Sequence, residues 1–179
     1  ETTLTVHLRQ VSRIYENSFL HQRLSRQLEQ LRVAVAVRER AERLLELEHA
    51  VAKALAGADS HTQGADAVVA IVCERLGWNL GRFWQVDEPR GLIGITSQWL
   101  RGGSPLQSVA QQTVSGELRR GEGLAGRVWA SGEALWVPQL RDDLRLALNA
   151  WQQLPVAGSA SLYPVKVGER VVGVLSFVS

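Results

Sequence analysis

A chain of 179 residues, 45% apolar and 21% charged, can bury one sizeable core plus an extension. Its formal charge of +2 comes from acids and bases that alternate along the chain, which leaves no electrostatic footprint for nucleic acid. No apolar run suits a membrane span, no signal-peptide pattern opens the chain, and a single cysteine, Cys73, excludes an internal disulfide and a four-cysteine metal site. This composition fits a reducing cytoplasm, and the lack of any methionine reads as a piece of a longer polypeptide.

From Thr2 to about Ala56 there is neither proline nor glycine, and Leu, Arg, Glu, Gln and Ala dominate, which predicts helix up to the break at Gly57. Leu24, Leu28, Leu31 and Val35 follow one another at coiled-coil steps, as do Leu44, Leu47, Val51 and Ala54. Continuing the first register would put Arg38 and Glu42 on the seam, so the phase shifts across "VAVAVRERAE", through a slipped seam or a helix break near Val37. Roughly 50 helical residues at 1.5 Å each would span about 75 Å, longer than a small domain is wide. Two readings stay open. The helix folds back on its own domain, or it pairs in a parallel homodimer that buries Leu24, Leu28, Leu31, Val35, Leu44, Leu47 and Val51 between two chains.

Ser60 and Gln63 have capping-box spacing, and Val68, Val69, Val72, Cys73 and Leu76 then share a helix face that Gly77 terminates. Cys73 therefore reads as a small core residue in preference to a reactive thiol. "LGRFWQVD" alternates as a strand, "EPRG" supplies a turn, and "GLIGITSQWL" returns antiparallel to it. After a polar stretch, "LAGRVWAS" reads as a short helix ended by Gly132, and "ALWVP" as a strand closed by Pro138. "RDDLRLALNAWQQL" carries Leu144, Leu148 and Trp151 at helical steps. "GSASLYPVKV" and "RVVGVLSFV" form a second hairpin across "GE", with Pro164 at a bulge or where no N–H is needed.

Gly121, Gly123 and Gly126 have the spacing of a dinucleotide-binding fingerprint. That fold needs an apolar parallel strand just before the first glycine, and the residues before Gly121 are polar and interrupted by Gly116. A nucleotide- or dinucleotide-binding enzyme fragment is kept as an alternative by Asp142 and Asp143, which fall near the place of a ribose-binding acid.

The blocks "CERLGWNLGRFWQVDEPRG", "GEGLAGRVWASGEALWVPQL" and "SLYPVKVGERVVGVLSFVS", in this order, resemble those of a GAF domain. They are most similar to GAF modules beside PAS domains in bacterial sensor histidine kinases and cyclic-di-GMP enzymes. The resemblance implies an α+β fold: a five- or six-stranded antiparallel sheet with helices on both faces, a ligand pocket on one face, and a long N-terminal coiled-coil helix. Residues 1–56 would then be a helical linker from the end of a preceding sensor domain, and 57–179 a GAF domain lacking its exit helix. The three glycines would be architectural, turning the chain into a short helix that lies close on the sheet.

The implied function is non-catalytic: sensing, dimerisation and relay to an output domain of a two-component or cyclic-di-GMP system. A ligand-free structural spacer is the other alternative. His7, His21, His49 and His61 have no second ligand at metal spacing, and His49 lacks the acid, threonine and proline that follow a kinase phosphohistidine. The Cys-His pair of a bilin site and the Asn-Lys-Phe-Asp-Glu set linked to cyclic nucleotides are absent, so the cofactor is unknown, with no bilin, haem or metal signature. An unidentified small molecule is the expected ligand, with Trp136, Arg141, Trp151 and Tyr163 near the implied pocket; each aromatic serves equally as plain core.

Overall fold

A stretch free of glycine and proline yields one uninterrupted helix, α1, over Thr2–Ala56, so no break occurs near Val37. The structure, a computed structural model, describes residues 2–113, 116–143, 145–146 and 158–179, with side chains from Arg23 onward except at Arg141. The chain divides into two units, Glu1–Glu46 and Leu47–Ser179. In the first, ion pairs one turn apart, Arg38–Glu42 at 2.7 Å and Arg43–Glu39 at 3.5 Å, support a solvated helix face. The apolar side chains of this unit are solvated too: Leu24, Leu28, Leu31, Val35 and Leu44 are all exposed, Leu31 by 62%. Further along, Leu47, Ala50, Val51 and Ala54 are half-buried in the second unit.

After the end of α1, the second unit continues with the helix α2, His61–Leu76. Ser60 Oγ accepts the Gln63 N–H at 3.2 Å, and Gln63 Oε1 accepts the Asp59 N–H at 2.9 Å. At the other end Gly77 takes the left-handed conformation, φ 78°, and donates its N–H to the Cys73 carbonyl. Strand β1 (Leu80–Asp87) pairs with β2 (Leu92–Leu100) across the predicted turn, and α3 (Gln107–Gln112) and β3 (Glu117–Arg119) follow. Neither α3 nor β3 is predicted from the sequence. The helix α4 (Gly123–Ser131), β4 (Leu135–Val137), a 3₁₀ turn at Leu140–Asp142, β5 (Ala160–Val167) and β6 (Arg170–Val178) complete the unit. The helix predicted over 141–154 lies largely outside the described residues.

The six strands form one sheet in the order β3-β2-β1-β6-β5-β4, each neighbour antiparallel to the next. Pro164 sits two residues past Leu162, where pairing with β4 has ended, and next to the irregularity at Val165–Lys166. Strand alternation splits the core in two. On one face Val69 and Cys73 of α2 pack on Phe177, with Trp78, Phe83 and Trp99 alongside. On the other, Leu80, Trp84, Ile93, Leu118, Leu162 and Val174 meet Leu124 and Val128 of α4 and Leu140 of the following turn.

Candidate functional site

Beneath the first turn of α4 the sheet is not fully covered. A cavity of about 60 Å³ remains between Leu80, Arg82 and Trp84 of β1, Ala160 and Leu162 of β5, Ser176 and Val178 of β6, and Leu124 and Leu140 above them. Its walls are almost wholly apolar, as small-molecule pockets are. Period-two alternation explains the polar members, since Arg82 shares a face with Leu80 and Trp84 while Gly81 and Phe83 turn toward α2.

Arg82 is only 2% exposed. Its Nε donates to Gln98 Oε1 at 2.8 Å, and its Nη2 donates to the Ala110 carbonyl at 3.0 Å and to Thr113 Oγ1 at 2.6 Å. Thr113 Oγ1 in turn donates a hydrogen bond to the Val109 carbonyl at 2.6 Å, so α3 and the residue that ends it hold the guanidinium in place. Burial lowers the Arg82 pKa to about 10, which still leaves it cationic at neutral pH. Across the cavity Trp84 Nε1 donates to Ser176 Oγ at 2.9 Å.

Trp136 and Tyr163 do not line this cavity. Trp136 lies opposite Ser161, two residues before Tyr163, so both aromatics project from the other sheet face, where they are 58% and 49% exposed. Their neighbours Val137 and Leu162 take the inward positions. The Arg141 side chain and Trp151 lie outside the described residues. Arg82, Trp84 and Ser176 are the site residues that the sequence reading passes over; for the first two, the alternation of "LGRFWQVD" is the signal that identifies them.

The glycines before α4 act through the backbone. Gly121 (φ 85°) and Gly123 (φ 58°) take left-handed conformations, and the Gly121 N–H donates to the Gly126 carbonyl at 2.8 Å. A β-carbon on Gly126 would run into the Arg119 carbonyl, so this glycine lets α4 close onto the end of β3. The strand before them is three residues long and antiparallel to β2, the wrong setting for a dinucleotide fingerprint.

A broader depression, open to solvent, runs along Gln85, Asp87, Arg90, Glu117 and Arg170. Within it Arg90 donates two hydrogen bonds to Glu117, at 2.6 and 2.9 Å. Cys73 is fully buried against Gly81 and Phe177, and burial pushes its thiol up to about 12, far from a nucleophilic thiolate. Among the described residues no three His, Cys, Asp or Glu side chains gather in metal-binding geometry, and no helix is long and apolar enough to cross a membrane.

A curled antiparallel sheet with α2 on one face and a capped cavity on the other defines an α+β module. The family profile of the GAF domain matches residues 58–179, and the chain belongs to the GAF domain family. It is similar to the A. aeolicus nlh2 GAF domain solved in an inactive state, at 18% identity and a TM-score of 0.64, over 78% of this chain and 80% of that one. The GAF domain of a phosphoenolpyruvate-protein phosphotransferase from Coxiella burnetii compares at 18% identity and a TM-score of 0.63, over 78% and 79%. A free methionine-R-sulfoxide reductase from Neisseria meningitidis, in complex with its substrate, compares at 17% and 0.57, over 72% and 68%. At these identities the likeness is one of fold, and it reaches both GAF domains and an enzyme. No curated protein matches the chain.

Proposed function

We propose that this chain is a non-catalytic sensory GAF module with a dimerisation helix, part of a multidomain bacterial signalling protein in the cytoplasm. Ligand occupancy beneath α4 alters packing on the sheet, and paired α1 helices carry the change toward an output domain, a histidine kinase or a cyclic-di-GMP enzyme. The supporting observation is the α1 stripe: Leu24, Leu28, Leu31 and Val35 remain between 47% and 62% exposed on a continuous helix. Apolar side chains repeated at these steps gain their stabilisation by packing against a second helix. Leu44, Leu47 and Val51, the second run of the expected seam, lie out of phase with the first on the unbroken helix, and Leu47 and Val51 are already half-buried in the second unit.

Sedimentation velocity on the chain and on a Leu28→Glu/Leu31→Glu variant tests this reading. The wild type is expected to sediment as a dimer at tens of micromolar and the variant as a monomer, with the domain's near-ultraviolet dichroism preserved. A monomeric wild type, or a variant that stays dimeric, overturns it.

A further inference from the structure

The polar groups beside the cavity under α4 are turned into the protein. Arg82 directs Nε to Gln98 and Nη2 to the Ala110 carbonyl and Thr113, and Trp84 gives its indole N–H to Ser176. What faces the space is hydrocarbon, from Leu118, Leu124, Leu140, Ala160, Leu162 and Val178. Water needs about two to four polar partners to settle in a protein interior, and one serine hydroxyl at the wall does not supply them. A charged or strongly polar guest meets the same lack, and would give up its hydration without compensation. Wall atoms that border free space, by contrast, forgo dispersion contacts that an apolar guest restores.

We propose that this cavity binds a small neutral hydrocarbon, which names the ligand class of the sensory reading above and rests on it. Size sets the chain length. An apolar protein cavity of about 150 Å³ takes benzene, with its six carbons. The space here is about 60 Å³, which in the same proportion holds about two or three carbons. It borders both elements that cover this face of the sheet, α4 through Leu124 and the 3₁₀ turn through Leu140, with Leu162 and Val178 opposite them. A guest of this size therefore adds contacts between the cover and the sheet, the packing that the sensory reading requires to change.

Nuclear magnetic resonance titration of the full 179-residue chain with propane, and with dimethyl ether as a counterpart of equal size carrying one polar atom, tests the assignment. Propane is expected to give saturable shifts centred on Leu124, Leu140 and Leu162, and to bind at least about tenfold more tightly than the ether. Ala160→Leu fills the space with its own side chain and should abolish the saturable shifts while circular dichroism stays unchanged. Leu162→Ala widens the space and should admit benzene, which the wild type excludes. Equal affinity for propane and ether overturns the proposal, as does propane binding that survives in Ala160→Leu or benzene binding as tightly to the wild type as to Leu162→Ala. If Ala160→Leu loses its fold, the comparison of propane with ether on the wild type decides alone. A chain that sediments as a dimer yet takes no propane retires the ligand class and leaves the module reading standing; a monomer that binds propane does the reverse.

Discussion

The two faces of the sheet are closed in opposite ways by one strand. Toward α2, β1 presents Gly81, over which Cys73 Sγ and Val69 leave no room for a β-carbon, and Phe177 beside it is 4% exposed. Toward α4, the same strand presents Leu80, Arg82 and Trp84, and there the covering elements stop short and leave a void. Close packing makes the first face a fixed platform for its helix. The second keeps free volume, which the proposed sensory role would use.

Substitutions on each face can break this contrast. Phe177→Ala should cost the most, about 3–5 kcal/mol by urea denaturation, because it empties the sealed side. Gly81→Val adds atoms where none fit and should cost about 2–3 kcal/mol. Removing the α2 cap with Ser60→Ala should cost about 1 kcal/mol, independent of either face. Ala160→Leu places its extra atoms in the void and should cost less than about 1 kcal/mol. If it destabilises as much as Gly81→Val, the two faces are packed alike and the receptor interpretation of the second is lost.

Titration sharpens the same point. The Cys73 thiol is raised from 9.0 to about 12, chiefly by burial, so the fold favours its neutral form. That contribution is complete below about pH 9 and is lost as pH rises through about 12. Urea midpoints measured between pH 8 and pH 10.5 should therefore decline in the upper part of the range. Cys73→Ala should remove that share of the decline; an unchanged slope would show that the thiol is not held neutral by the α2 face.

Elements with strong local chemistry were legible in the sequence. Ser60, Gln63 and Gly77 bracket α2 as their spacing requires, and the hairpins and the Gly132 stop of α4 follow from turn residues. α3 and β3 escaped because they are too short to show a period: α3 buries only Val109 and Ala110, and β3 only Leu118. The site was harder. Trp136 and Tyr163 have the right chemistry for a pocket wall, but strand alternation sends them to the other face, and which face is which emerges only once α2 and α4 are placed. Arg82 sat at an inward position, but a charged residue in a strand ordinarily reads as solvent-facing, and two of the acceptors around it come from α3 and the residue that ends it, about thirty residues on.

Helix α1 completes the account. Nine residues separate Val35 from Leu44, about two and a half turns, so one straight seam cannot hold both runs. The exposed run from Leu24 to Val35 is thus the part of the helix with most to gain from a second chain. Native mass spectrometry of the intact chain tests this most directly. A species of twice the 19.7 kDa chain mass, converted to single chains by Leu28→Glu/Leu31→Glu, is the expected result. Single chains alone in the wild-type spectrum, at concentrations of tens of micromolar, would contradict it.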